Sequence, residues 1–162
     1  MQDFPRIAGL AILAFAAFAP GAFAQNVRVF SCQSVGGGSP EPLGDRQGHM
    51  LSAETGSCTA DGAYAGGVST DWIIWEWDGA KAVELANVGV IRKPGSILAW
   101  KGTGGTLTLT VTDGKVTGCT GSGRGVNTVA TGDWAKLAGK GYTWTAKCVG
   151  PGSQYTVEAR DE

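Results

Sequence analysis

After residue 25 or so, the chain consists of short stretches in which apolar and polar residues alternate, separated by turns rich in glycine. Glycine accounts for 27 of the 162 residues. No long segment keeps a helical spacing, and Ala130 to Lys140 is the one segment that predicts a short helix or a tight turn. The predicted strands cover residues 27–34, 47–54, 68–77, 80–92, 96–101, 106–112, 115–120, 142–149 and 154–159, and residues 56–60 either continue the strand 47–54 or restart it after a glycine. This spacing predicts an all-β fold, and we expect a small antiparallel β-barrel stabilised by disulfides.

The first 24 residues have the form of a secretory signal peptide. An apolar run from Ile7 to Phe18 follows Arg6, and the small-x-small triplet Ala22-Phe23-Ala24 fits a cleavage site. The alternative is a membrane anchor, but the run is shorter than the roughly 20 residues that a spanning helix needs. We therefore predict a signal peptide over 1–24, a single barrel domain over 25–162, and a periplasmic or secreted location.

The four cysteines follow the predicted signal peptide and predict two disulfides. An even number of cysteines in an exported chain is typical of a disulfide-bonded domain. A zinc site is the alternative, but no C-x-x-C pair is present, so we expect no metal and no cofactor. Three pairings are open, and we prefer the nearest-neighbour one, which joins Cys32 to Cys58 and Cys119 to Cys148.

The charges are nearly balanced, with 13 Lys and Arg against 14 Asp and Glu. No basic run provides the electrostatic footprint of a nucleic-acid-binding protein, and no polybasic stripe suits anionic lipid. After the signal peptide no second hydrophobic span follows. We expect no nucleic-acid partner and no membrane insertion of the mature chain, and the sequence leaves the oligomeric state open.

The segment 106–120 predicts a β-hairpin around Asp113-Gly114. Asp-Gly is a preferred pair for a two-residue type I′ loop. That loop would pair Val111 with Val116 and Leu109 with Gly118. Threonines would then share the opposite face, and Cys119 would lie with them.

The segment Asp71 to Gly79, with three tryptophans, predicts a second hairpin in one of two registers. A two-residue Asp78-Gly79 loop pairs Ile73 with Glu84. A three-residue loop, Trp77-Asp78-Gly79, pairs Ile73 with Val83 and places Trp72 opposite Glu84. We prefer the second register, in which the buried face is formed by Ile73, Trp75, Val83 and Leu85, and the other face by Trp72, Ile74, Glu76, Ala82 and Glu84.

His49, the single histidine, is the candidate acid/base group. It alternates with Leu51 and Ala53, which places it on the apolar and therefore inward face. It could contact a ligand or act as a catalytic base. We favour a structural histidine that Asp45 satisfies, because a buried polar ring needs a partner in either case.

Other catalytic patterns are weak. No G-x-S-x-G elbow presents a serine nucleophile. A pair of carboxylates could come from Asp71, Glu76, Asp78 or Glu84, but nothing sets their separation. Glycine stretches at 102–106 and 121–125 lack the following helix of a phosphate loop, and we interpret them as barrel corners and bulges. Arg92 and Arg124 could bind an anion, although solvated loop arginines are commoner.

The six tryptophans are more than a chain of this size needs. Exposed indoles on one sheet face could stack on sugars, whereas inward indoles simply fill a core. We expect Trp75 to point inward and Trp77 to lie in the turn. Trp72 remains as the candidate surface contact, and we expect Trp100, Trp134 and Trp144 in the core or at its rim.

The stretch "GDRQGH", Gly44 to His49, followed by Cys58 in "GSCT", resembles a group of exported bacterial proteins. Those proteins have a β-barrel similar to that of allene oxide cyclase, within the broad calycin type. The later "KGTGG", "TDGKVTG" and "GRG…ATGDWAKLAGKG" follow the same glycine-punctuated order. The resemblance implies the barrel fold and implies no reaction.

Three functions are consistent with the sequence. We favour a non-enzymatic exported barrel that binds a small apolar ligand or acts as an envelope interaction module. The alternatives are a cyclase or isomerase with His49 in the barrel mouth, and a carbohydrate-binding module that uses exposed tryptophans. The candidate ligand-binding residues are His49, Trp72 and Glu84.

Overall fold

The computed structural model describes residues 27–37, 39–150 and 153–162. The predicted signal peptide lies outside these residues. The strands are β1 Val27–Gly37, β2 Glu41–Pro42, β3 His49–Gly62, β4 Val68–Asp78, β5 Lys81–Lys93, β6 Ser96–Thr112, β7 Lys115–Ala130, β8 Gly141–Val149 and β9 Gln154–Asp161. A 3₁₀ helix, Gly132–Leu137, lies where a short helix or turn is predicted. Among the described residues, no helix is both long enough and apolar enough to span a membrane.

Strand β1 pairs with both β9 and β3, and this double pairing closes the sheet into a barrel. The order around the ring is β1-β9-β8-β7-β6-β5-β4-β3, and every neighbouring pair is antiparallel. The short strand β2 is an addition that pairs only with the start of β3. The predicted small antiparallel barrel is therefore confirmed. Eight strands enclose an interior, here called the lumen, that side chains can fill or that can hold one small ligand.

The predicted break between residues 101 and 106 is wrong. Of the two possibilities for residues 56–60, the continuation of the preceding strand is confirmed. Residues 47–54 and 56–60 belong to one strand, β3, and residues 96–101 and 106–112 belong to one strand, β6. The predicted bulge in the glycine stretch is present, since the β6–β7 register shifts between Gly102 and Gly104. A bulge leaves one residue unpaired and bends the strand, and the strand pairing resumes on either side of it.

The 3₁₀ helix covers one end of the barrel, here called the closed end, and a buried ion pair lies beneath it. The Arg28 Nη2 donates to Asp161 Oδ1 at 2.6 Å, and both side chains are at most 3% exposed. The Asn127 Nδ2 and the Tyr64 hydroxyl donate to the same carboxylate, at 3.0 and 2.8 Å. The Tyr64 ring stacks on Trp134 of the helix, with 5.1 Å between centroids. Four separate segments thus meet at one carboxylate.

Glycines on the lumen side make room for large aromatic rings. The Trp100 ring lies over Gly89, the Trp144 ring over Gly123 and the Tyr142 ring over Gly125, and a Cβ at any of these glycines would overlap the ring. Each ring and its glycine are directly opposite on adjacent strands. Glycine in a strand often marks such a close approach of another group. The glycine content therefore reflects the packing of the lumen.

Both predicted disulfides are confirmed, and each joins directly opposite residues on adjacent strands. Cys32 of β1 is bonded to Cys58 of β3, and Cys119 of β7 is bonded to Cys148 of β8. All four half-cystines are buried, and Cys32, Cys58 and Cys119 border the same internal cavity. Cys119 therefore points inward, and its predicted place on the outer threonine face is wrong.

A bulge near the Asp113-Gly114 loop explains that error. The two-residue loop is confirmed, with φ of 51° at Asp113 and 73° at Gly114, and Val111 pairs with Val116. Thr117 is then the extra residue, so Leu109 pairs with Cys119 instead of Gly118. One added residue exchanges the faces of everything that follows it in the strand.

Both registers considered for the tryptophan-rich hairpin are wrong. The loop is Gly79-Ala80, and Asp78 pairs with Lys81. Further along the hairpin, Leu85 is the extra residue of a bulge, because it has no partner between the pairs that β4 makes through Ile74 and Trp75. Trp75 faces the lumen as predicted, with 4% of its surface exposed.

The faces of β5 are the reverse of the prediction. Val83 and Leu85 are more than half exposed on the outer surface, whereas Ala82 and Glu84 are buried. Trp77 also lies inside instead of in the turn, and its indole N–H donates to Ser52 Oγ at 2.8 Å. Trp134 and Trp144 are buried and Trp100 is half-buried, as predicted.

We predict that Gly89→Ala destabilises the barrel, because the added methyl group overlaps the Trp100 ring. The expected loss in free energy of unfolding is about 1–3 kcal/mol, the usual cost of overpacking. Urea denaturation measures it. Gly36→Ala is the control, since its Cβ would lie 3.7 Å from Thr55 Cβ, an ordinary contact. Equal effects at the two positions would contradict the close approach at Gly89.

Candidate functional site

The lumen contains a cavity of about 130 Å³ that is partly open to solvent. Its walls are largely aromatic, with Phe30 and Trp100 in contact at 6.4 Å between centroids. The aromatic lining residues are Phe30, Trp75, Trp100, Tyr142, Trp144 and Tyr155. The buried Arg28 also borders the cavity, next to the closed end. Aromatic walls with a few polar groups are typical of a small-molecule site.

Two carboxylates, Glu54 of β3 and Asp71 of β4, line this cavity. Burial raises the pKa of Asp71 to about 6, and the neighbouring Glu54 charge adds to the shift. Burial likewise raises the pKa of Glu54. The Tyr155 hydroxyl and Asp71 Oδ1 both lie against the Cα of Gly56, where a side chain would exclude them. Burial and then the charges of Asp71 and Glu54 raise the pKa of Tyr155.

Several buried polar atoms of the cavity lack a hydrogen-bond partner within residues 27–37, 39–150 and 153–162. They include the acceptors Asp71 Oδ1 and Asn87 Oδ1 and the donors Tyr142 OH and Trp144 Nε1. Strands β4 and β8, which carry Asp71 and Tyr142, stand four places apart in a ring of eight and so face each other. Unsatisfied buried polar groups are costly and are rare in folded proteins. Their concentration around one cavity indicates a binding site.

A third carboxylate, Glu84 of β5, is also buried. It accepts a hydrogen bond from Asn87 Nδ2 at 3.1 Å. Burial raises the pKa of Glu84, although the Asn87 hydrogen bond acts in the opposite direction. Its oxygens lie against the inner glycines Gly102 and Gly105 of β6.

His49 lies on the outer side of β3, so its predicted inward orientation is wrong. The alternation of β3 turns Met50, Ser52 and Glu54 inward, and these include polar residues that hydropathy assigned to the surface. His49 is nonetheless 8% exposed, because the preceding loop covers it. Its Nδ1 is 2.5 Å from Asp45 Oδ1 and its Nε2 is 2.7 Å from Glu76 Oε1. The predicted Asp45 partner is confirmed.

The Gly44–His49 stretch therefore connects the start of β3 to the neighbouring hairpin. The Arg46 guanidinium pairs with Asp45 at 2.9 Å and with Asp78 at 3.2 Å. The Gly79 N–H donates to the Gly48 carbonyl at 3.0 Å. Neither Asp45 nor His49 is among the residues that line the lumen cavity. The geometry gives this stretch a structural role.

The structure does not bring the other predicted contact residues together. Trp72 pairs with Val88, not Glu84, and is 43% exposed on the outer surface, whereas Glu84 is buried inside. Four carboxylates are the candidates for a catalytic pair. Asp71 and Glu84 face inward, and Glu76 and Asp78 face outward. Arg92 and Arg124 are both exposed.

Sequence reasoning missed most of the cavity. Glu54 is assigned to the outer face by its neighbours Leu51 and Ala53, and Asn87 and Tyr155 carry no motif. The positions of the strand glycines could indicate these residues. Inward glycines such as Gly56 lie opposite the largest or most polar side chains of the lumen.

Comparison of the chain with protein-family models, with curated proteins and with solved structures finds no match. The function is therefore inferred from the cavity.

We predict that His49→Gln removes a pH dependence of stability. The two carboxylates raise the pKa of His49, through its hydrogen bond to Asp45 first and then Glu76. The folded state therefore holds the His49 proton more tightly than the unfolded state does, and protonated His49 stabilises the fold. This contribution to the free energy of unfolding is complete below the unfolded pKa of about 6.5 and is lost as pH rises through the folded pKa. Urea unfolding across this window should show a falling free energy in the wild type and a flatter profile in the variant. Parallel pH profiles of the wild type and the variant would contradict a stabilising interaction of protonated His49 with Asp45 and Glu76.

Proposed function

We propose that this protein is an exported barrel that binds one small ligand with an apolar body in its lumen. The observation that carries the proposal is the set of unpartnered polar atoms around an aromatic cavity. A core that only stabilised the fold would satisfy or remove such atoms. The aromatic rings supply contact area for the ligand, and the polar atoms orient it.

The cavity sets the size of the ligand. Its volume of about 130 Å³ is close to that of engineered cavities of about 150 Å³, which bind benzene in another protein. The ligand, or the part of it that enters, is then about as large as one substituted six-membered ring.

Export is supported by the two disulfides, which persist in oxidising compartments such as the periplasm. A periplasmic or secreted location also agrees with the predicted signal peptide over 1–24. The resemblance of the Gly44–His49 stretch to exported bacterial barrels points to the same compartment.

We predict that Ala146→Phe weakens binding in the lumen. Ala146 lines the cavity, and a phenyl ring there would occupy it. Thr145→Phe is the matched control, because Thr145 is exposed on the outer side of the same strand. Benzyl alcohol and benzylamine serve as ring-sized probes, and the NMR shift of the Trp144 indole N–H is measured during titration. Wild type and control should saturate, and Ala146→Phe should bind at least about tenfold more weakly.

Near-ultraviolet circular dichroism shows whether each variant has kept its fold. Absence of saturable binding of either probe to the wild type contradicts a lumen site. Equal binding by Ala146→Phe would place the probes elsewhere.

A second candidate is an enzyme of the cyclase or isomerase kind, with Asp71 as the general base. The observation that favours it is the pKa of about 6, which suits proton transfer near neutral pH. His49 does not serve here, because it lies outside the barrel. The test is to recover the natural ligand after incubation with the protein in D₂O. Deuterium at carbon, or a rearranged skeleton, supports catalysis and should disappear in Asp71→Asn, whereas an unchanged ligand supports binding alone.

A further inference from the structure

We propose that the ligand is a small organic cation, an ammonium or amidinium group on a compact apolar body, whose charge is paired with Asp71. This inference rests on the proposed lumen binding and specifies its chemistry. It follows from the charges that face the lumen, from the unpartnered oxygen of Asp71, and from the aromatic walls.

The charges that face the lumen are unbalanced. Arg28 is the basic residue among the described residues that line the cavity, and Asp161 already neutralises it at 2.6 Å. The acids Glu54, Asp71 and Glu84 form no ion pair with any described residue. Buried charges in proteins are normally paired. A cationic ligand would supply the partner that the chain lacks.

Asp71 is the group that points to the position of the cation. It is nine-tenths buried and lines the cavity, and its Oδ1 accepts no hydrogen bond from the described part of the chain. Glu54 lies on the neighbouring strand, close enough for its charge to act on Asp71. The Tyr155 hydroxyl approaches the same place above Gly56. An ammonium group here could donate to Asp71 and remain near Glu54.

The closed end of the barrel shows the same chemistry inside the chain. The Arg28 guanidinium is paired with a carboxylate and lies 4.7 Å from the centroid of Tyr142 and 5.4 Å from that of Tyr64. Cations are attracted to aromatic faces, more strongly where water is excluded. The cavity above it repeats these elements, a buried carboxylate and aromatic rings, without a cation from the chain.

The raised pKa of Asp71 agrees with this arrangement. Without a cation, burial disfavours the ionised carboxylate, and the pKa is about 6. A bound cation favours the ionised form, so the affinity should fall as pH drops below about 6. The titratable or charged groups that line the cavity together with Asp71 are Arg28, Glu54, Tyr142 and Tyr155, and the charge of the buried Glu84 acts on Tyr142.

The experiment compares three probes of one shape and different charge: benzylammonium, benzyl alcohol and benzoate. Dissociation constants are measured with the full folded chain at pH 8 and pH 5. A charge-assisted hydrogen bond predicts that benzylammonium binds about tenfold or more tighter than benzyl alcohol at pH 8. Benzoate should be the weakest of the three, and the advantage of benzylammonium should shrink at pH 5.

Asp71→Asn keeps the shape of the side chain and should bring benzylammonium and benzyl alcohol to within about threefold of each other. Asp113→Asn is the matched control, because it removes the same charge from an exposed turn that suits asparagine. Glu54→Gln is a second variant, expected to reduce the preference less, and it carries the test if Asp71→Asn does not fold.

The two proposals fail in different ways. If benzyl alcohol binds as tightly as benzylammonium, or benzoate binds best, the cation inference is overturned and lumen binding stands. A preference for benzylammonium that survives both Asp71→Asn and Glu54→Gln also overturns it. If none of the probes binds, the proposed function itself fails.

Discussion

The buried pair between Arg28 and Asp161 is the interaction on which the closed end of the barrel depends. It joins the first and last strands, and Asn127 and Tyr64 connect β7 and the 62–67 turn to the same carboxylate. Removing one partner of such a pair costs about 3–5 kcal/mol, because the other charge is left buried and unpaired. The pair also forms the base of the cavity with its charge already neutralised. The acids above it therefore remain available to a ligand.

The walls of the lumen are tightly packed, yet a cavity remains at its centre. The strand glycines explain both properties. The interior of an eight-stranded barrel is just wide enough for side chains to fill it. Here the rings of Trp100, Trp144 and Tyr142 lie over glycines of the adjacent strands, so they are drawn towards the wall. Space remains at the centre, and the polar atoms of Asp71 and Asn87 face it. Substitutions at these glycines would alter the cavity as well as the stability.

The sequence predicts the architecture well and the site poorly. Strand alternation, the Asp113-Gly114 turn and the cysteine count depend on local chemistry, and they predict the barrel, most strands and both disulfides. The assignment of faces assumes that apolar side chains point inward. In β3 and β5 that assumption fails, because Glu54 and Glu84 are inside while Leu51 and Leu85 are outside.

Bulges add a second source of error. The bulge residues Leu85 and Thr117 exchange the inward and outward faces in the middle of a strand, and no local sequence pattern predicts them. The sequence indicates Asp71 only as one of four candidate carboxylates. Its burial and its proximity to Glu54 follow from strand pairings that alternation cannot specify.

The position of the two disulfides has a consequence for the order in which the barrel closes. Without β9, the other strands form an open sheet whose edges are β1 and β8. Each of these edge strands is covalently bound to its inner neighbour, β1 to β3 and β8 to β7. Neither edge can slip in register, which is the usual weakness of exposed edges. Once both disulfides have formed, β9, which follows the other eight strands along the chain, meets two edges that are already aligned. Its Tyr155 comes to lie opposite Cys32 on one side and Cys148 on the other.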